Sequence, residues 1–314
     1  MLRRFTSALK KTSQAGLAME ADCFRVARVR SLGAGKLSLA AGVYPVQNYE
    51  DDWAARTMLR IEGIDLTHAS LTSVLPSDSY QMLLVEAPNV PPEEMKEAVR
   101  WRIKDIIDYP VDEAVIELFE MPPHTNTGQR PMLHAVTTRR ENVIEQIDLM
   151  ERANLPMKAI DIPELCIRNF AVHLPQDEDG VAFLHLAAEC GYLTITRQGV
   201  LHLIRRIETG TDALRAAAAD LVRSLERASG ISLEVQRSLD YYESHYDYRP
   251  IGELVLGPGA GIDSLVDSLK DQLGLKVSRV NLGDLFSLEK DLSSDQQSEC
   301  LLAVGAALGA EAAA

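Results

Sequence analysis

The chain is 314 residues long, too long for one ordinary core and long enough for two lobes. Apolar residues make up 46% and charged residues 25%, the balance of a folded globular protein. The formal net charge of −14 repels phosphate backbones, so nucleic acid is not an expected partner.

Residues 1–15 form a basic tail in which Arg3, Arg4, Lys10 and Lys11 alternate with Leu2, Phe5 and Leu9. It is expected to be flexible, either frayed or weakly anchored on anionic lipid. The apolar run of a secretory signal does not follow it. Nowhere are there the roughly 18 consecutive apolar residues of a membrane-crossing helix. Cys23, Cys166, Cys190 and Cys300 lack CxxC or metal-ligand spacing. They read as reduced, mostly buried thiols, which favours the cytoplasm.

Residues 24–30 alternate with period two, as a strand does, and a glycine turn at 33–35 leads to a second strand over 36–43. The spacing predicts a helix over 51–62 and strands over 69–75 and 81–86, joined by the turn Pro76-Ser77-Asp78. Pro91 and Pro92 then start a helix, with Met95, Val99, Ile103 and Ile106 on its core stripe, that stops before Tyr109-Pro110. Strands over 114–120 and 131–137 and a helix over 141–153, with Val143, Ile147 and Met150 inward, make 92–157 an inserted unit. A short strand over 158–161 and a helix over 163–172 close this half.

The acidic stretch 174–180 reads as the linker between lobes, with Asp177, Glu178 and Asp179 solvated. Strands over 181–186, 192–197 and 200–207 follow, then helices over 211–228 and 231–246, the second with Ile231, Val235, Leu239, Tyr242 and Tyr246 on one stripe. Residues 253–256 read as a strand, 257–261 as a glycine loop, 262–273 as a helix, 276–280 as a strand and 298–308 as a closing helix.

Both halves open with strands joined by tight turns and then move to helices, the plan of a two-lobed clamp. Five stretches carry a more specific resemblance: EEMKEAVRWRIKDIIDYPVDEAV (93–115), ANLPMKAIDIPELCIRNF (153–170), LVRSLERASGISLEVQRSLDYYESHY (221–246), LVLGPGAGIDSLVDSLKDQLGLKVSRVN (254–281) and CLLAVGAALG (300–309). Together they resemble the PilM/MshI proteins of type IV pilus assembly, in the actin-like ATPase superfamily. The first two look closest to the MshI group. The resemblance implies a two-lobed actin-like (ribonuclease H-like) α/β fold with an inserted small α+β subdomain. The first lobe is expected over 16–173 with the insertion at 92–157, the second over 174–297, and a C-terminal helix over 298–314 packing back on the first.

In that family the first phosphate hairpin reads G-(I/L)-D-I-G-S-S, and here residues 16–22 read GLAMEAD. The aspartate position is Ala18, and the glycine position is Glu20, whose charge repels phosphate. The second hairpin, L-D-(I/L)-G, reads LHLA over 184–187, with His185 and Ala187 at the same two positions. Both lobes thus lack the acid that manages magnesium, which implies no ATP hydrolysis and no bound cofactor or metal. Gly257, Gly259 and Gly261 are either a residual adenosine contact, leaving some ATP or ADP binding, or a tight turn. His185 reads as a packed strand histidine ahead of a ligand or base. No GxSxG, HExxH, Walker A or early GxGxxG pattern is present. Arg205 and Arg206 point to opposite faces of a strand, so one at most serves any given anion.

The resemblance also implies a partner: the N-terminal peptide of a PilN/MshJ-type inner-membrane protein, docked between the main lobe and the insertion. Other pilus assembly proteins would follow, with the chain cytoplasmic and peripheral to the inner membrane. The expected lining is Trp101, Ile103, Ile107, Tyr109 and Pro110, with Trp101 about 120–160° off the helix's core stripe. The reading is therefore a non-enzymatic scaffold. Its alternatives are an ATP-binding or ATPase switch of the same fold, for which Asp22 is the nearest replacement acid, and a type II secretion GspL-like cytoplasmic module.

Overall fold

The computed structural model describes residues 13–20, 23–45, 63–66, 68–124, 131–155, 157–246, 248–259 and 262–309. The expected helix over 51–62 and most of the basic tail lie outside them.

Strands β1 (Ser13–Glu20), β2 (Cys23–Gly33) and β3 (Lys36–Pro45) form an antiparallel meander. Its second turn has positive φ at Gly33, Ala34 and Gly35, a conformation glycine adopts without a Cβ penalty. β4 (Ala69–Val74) runs parallel to β1, and β5 (Tyr80–Glu86) departs from it. Helix α1 (Pro92–Ile103) has proline at its first position and Glu93 and Glu94 in its first turn, where the helix dipole favours acids. β6 (Ala114–Glu120), β7 (Met132–Arg139), α2 (Arg140–Arg152), β8 (Met157–Asp161) and α3 (Pro163–Ala171) complete the first half.

The second half opens with β9 (Val181–Leu186), β10 (Gly191–Arg197) and β11 (Val200–Ile207). Then come α4 (Thr211–Ala217), α5 (Leu221–His245), β12 (Glu253–Leu256), α6 (Asp263–Leu273) and β13 (Lys276–Arg279). α7 (Leu282–Leu285), β14 (Ser287–Leu288) and α8 (Ser294–Gly309) close it.

Two large sheets result, ordered β14-β3-β2-β1-β4-β8 and β11-β10-β9-β12-β13, with a small one ordered β5-β7-β6. α3 and α8 lie between the large sheets. Their apolar layer joins Val29 and Leu39 of the first sheet to Phe183 and Tyr192 of the second through Phe170 and Val304. Phe170 and Phe183 meet at 5.2 Å between ring centroids. Burying each contributes about 1.5–3 kcal/mol. The outer face of the second sheet packs on α5 and α6, that of the first on α2.

Small residues let α8 sink deep between the sheets. A Cβ on Gly16 would stand 1.9 Å from the Ala303 carbonyl oxygen, and one on Gly305 2.0 Å from that of Cys166. Glycine is required at both by close approach, not by backbone angle.

Several elements differ from expectation. β5 pairs with β7, so the small sheet takes in Tyr80–Glu86, ahead of the insertion expected at 92. β14 pairs with β3, so the first sheet gains a strand from within 174–297. Glu289 holds that strand in place, bonding Arg28, Arg30 and Ser38. The helix expected to stop at 228 is broken earlier, where the Asp220 side chain caps Val222 and Arg223, and α5 then runs through Gly230. α8 begins before 298, with the Ser293 hydroxyl accepting from the Gln296 amide. The acidic linker is a 3-10 turn whose Asp177 is buried and accepts the Gly199 amide at 2.6 Å.

Candidate functional site

The hairpin positions face the layer between the sheets. Along β1, Ala15 and Leu17 point outward, while Ala18 joins Val74, Cys166 and Ala306 in an apolar cluster drawn from β1, β4, α3 and α8. Along β9, Ala182, Leu184 and Leu186 point outward, leaving His185 on the inner side with Phe183. His185 is buried, and its Nδ1 has no hydrogen-bond partner among the described residues. Burial pushes its imidazole down to about 3.

The structure brings His185 and Gly257 together. The Gly257 amide donates to the Leu184 carbonyl at 2.8 Å, and a Cβ on Gly257 would stand 2.9 Å from His185 Nδ1. The Gly259 carbonyl accepts from Arg279 at 3.2 Å. At the second hairpin the first amides of α4 turn onto it: Thr211 donates to Ala187 at 2.8 Å and Asp212 to Ala188 at 3.0 Å.

A buried polar cluster bridges the lobes beside this layer. Glu164, in the first turn of α3, accepts the Tyr80 hydroxyl hydrogen. Burial raises the Glu164 carboxyl and holds the Tyr80 and Tyr192 hydroxyls neutral. Arg206 of β11 reaches across to the Ser77 carbonyl at 3.4 Å.

Where β5 leaves the first lobe there is an open cleft of about 440 Å³, lined by Asp78, Ser79, Tyr80, Gln81, Asp108, Tyr109, Arg139 and Asn142. Its walls are tied: Asn142 Nδ2 donates to the Ser79 carbonyl at 2.9 Å, and Tyr109 shares a hydrogen bond with Thr137 at 2.8 Å. The Arg139 guanidinium lies over the Tyr109 ring, 4.6 Å from its centroid.

No family model matches the sequence, and no curated protein does. Solved structures do. Similarity to the PilM–PilN type IV pilus biogenesis complex spans 94% of this chain and 97% of that one, at 20% identity and a TM-score of 0.66. A Bacteroides thetaiotaomicron protein with an actin-like ATPase fold and unknown function matches over 95% and 98%, at 10% identity and a TM-score of 0.51. The chain has an actin-like fold.

Within this actin-like chain the residues singled out from sequence scatter. Ala18, His185, Gly257 and Gly259 all sit along the inter-sheet layer, with Ala187 at the hairpin end. Gly261 and the Glu20 side chain lie outside the described residues. Of the expected partner lining, Tyr109 borders the cleft. Ile103 and Ile107 belong to the core of the small sheet, packed with Val85, Val99 and Leu133. Pro110 is exposed. Trp101 projects to solvent, 60% exposed, with Lys104 5.4 Å from its ring centroid. Arg139, Asn142 and the Asp78–Gln81 strap were missed, because no spacing in the sequence joins them.

Proposed function

We propose that this chain is a non-catalytic scaffold of pilus assembly that holds an extended N-terminal peptide of a PilN-type inner-membrane protein in the cleft beside Tyr109. MshI-type identity, an MshJ-type partner and a cytoplasmic, membrane-peripheral location belong to the same reading. The observation that carries it is the filling of the two acid positions. Ala18 offers no oxygen and is sealed by Val74, Cys166 and Ala306. His185 is wedged under Gly257. Hydrated magnesium needs oxygen ligands at both hairpins, and these residues do not fit it. The open cleft has what a peptide needs: carboxylates at Asp78 and Asp108 for an α-amino group, an aromatic wall and a stacked arginine. The full-length likeness to PilM, solved with PilN, supports the same partner class.

Calorimetric titration of the chain with a synthetic N-terminal peptide of a PilN-type protein tests this. The reading expects saturable binding, at least about tenfold weaker in Arg139→Glu and in Asp78→Lys. Tm should not move with Mg-ATP. Peptide that fails to bind, or magnesium-dependent ATP turnover by the pure chain, overturns it.

A further inference from the structure

Helix α5 carries two stripes. Ile231, Val235, Leu239 and Tyr242 are buried against the second sheet. Val222, Leu225 and Leu233 face solvent instead, at helical spacing, with the small Ser229 exposed in the gap between the two leucines. Helical geometry turns this second stripe roughly 130° from the first. Val222 is 65% exposed, Leu225 51%, Leu233 50% and neighbouring Leu221 75%. Exposed apolar residues scattered singly are ordinary, but several aligned along one helix mark an interface.

The centre of the row matches itself when reversed. Leu225 and Leu233 lie at equal distances either side of Ser229. Laid antiparallel across the same helix of another copy, Leu225 meets Leu233, and Ser229 meets its own counterpart. That is the self-matching patch of a two-fold dimer. A serine suits the crossing point. It is small, and its hydroxyl can both donate and accept, so two copies satisfy each other. There is room for close approach, since a Cβ on the adjoining Gly230 would meet nothing within 4 Å.

Charge fits the same arrangement. Glu226 and Arg237 lie on one flank of the stripe, and the two-fold rotation lays that flank along its own copy. Each then stands about 7.5 Å along the axis from the other's counterpart, five residues of helical rise. Side chains lean toward the N-terminus of their own helix, so in an antiparallel pair these two lean toward each other, twice over. Arg237 is 59% exposed and, among the described residues, pairs only with Glu234 of its own helix. Glu226 is exposed and has no ion pair among the described residues.

We infer that this stripe docks the same stripe of a second copy of this chain, antiparallel and crossing at Ser229. The occupant is another copy, and not an unrelated helix, because Leu225 with Leu233, Ser229 with itself and Glu226 with Arg237 all match under that one rotation. This inference is independent of the cleft and of what binds there.

Sedimentation velocity on the full chain, over a concentration series reaching the millimolar range, reads it directly. A reversible dimer is expected, lost to monomer in Leu225→Asp and in Leu233→Asp, with unchanged thermal unfolding. Glu226→Arg and Arg237→Glu should each weaken the dimer, and the double variant should recover it, because the charges are swapped between copies. A wild-type chain that stays monomeric overturns the inference. So does a dimer that survives Leu225→Asp, or a double variant no better than the singles. A monomer that binds anionic vesicles through Leu225 overturns it in favour of a lipid surface.

Discussion

The Tyr80 hydroxyl, at the edge of the junction cleft, donates to the Glu164 carboxylate in the first turn of the helix that separates the two large sheets. A side chain that a cleft ligand would touch is therefore bonded to the wall between the lobes. Tyr80→Phe leaves a buried acceptor without its donor and should cost about 1–3 kcal/mol in urea unfolding.

The same pair sets a pH trend. Burial raises Glu164 and Asp161 above the ordinary carboxylate range. Between the ordinary and raised values the folded chain holds more protons than the unfolded one. Unfolding free energy then falls as pH rises through that window. Glu164→Gln should flatten the slope in part, leaving the Asp161 share. An unchanged slope in urea melts at stepped pH would refute the assignment to Glu164.

Enclosed histidines pull the other way, His173 and His202 among them. Burial lowers His185 to about 3 and His134, stacked on Phe119, to about 4. Below pH about 6.5 the unfolded chain binds protons that the folded chain refuses, so stability falls on acidification. Each histidine contributes up to about 1.4 kcal/mol per pH unit until its own lowered value is reached. His185→Asn should flatten that acid limb, which chemical denaturation from pH 7 downward measures.

Two glycines should respond in opposite directions. Gly305→Ala drives a methyl group into the Cys166 carbonyl and should cost about 3 kcal/mol, as α8 is pushed off α3. Gly230→Ala enters open space in mid-helix and should gain about 0.5–1 kcal/mol. Equal Tm shifts for the two would contradict the packing described for α8.

Returning the first missing acid should fail. Ala18→Asp places a carboxylate among Val74, Cys166 and Ala306 and should destabilise by at least about 3 kcal/mol. Adding magnesium and ATP should not restore Tm; a rescue would count against the scaffold reading.

The sequence disclosed what depends on near neighbours. Residues 181–186 were legible as a strand, and β9 is buried along its whole length. Trp101 was legible as off-stripe and is exposed, as helical phase requires. Ile106 was misread because α1 ends at Ile103, and the phase is lost in the turns beyond it, leaving Ile106 58% exposed. Ile147 was misread too: the buried face of α2 runs through Gln146, Leu149 and Met150. Pairing was beyond reach. Alternation shows that 80–86 is a strand but not that its neighbour is β7, and β14 is too short to leave any period. The cleft has the same difficulty, since Tyr80 and Glu164 are 84 residues apart.

The depth at which α8 lies has a consequence for synthesis. The inner face of the first large sheet is completed by residues 294–309, which leave the ribosome after every strand they cover. Until then the half-built first lobe shows bare apolar surface to water. The first lobe is thus sealed by a wedge made only after the whole second lobe has been synthesised.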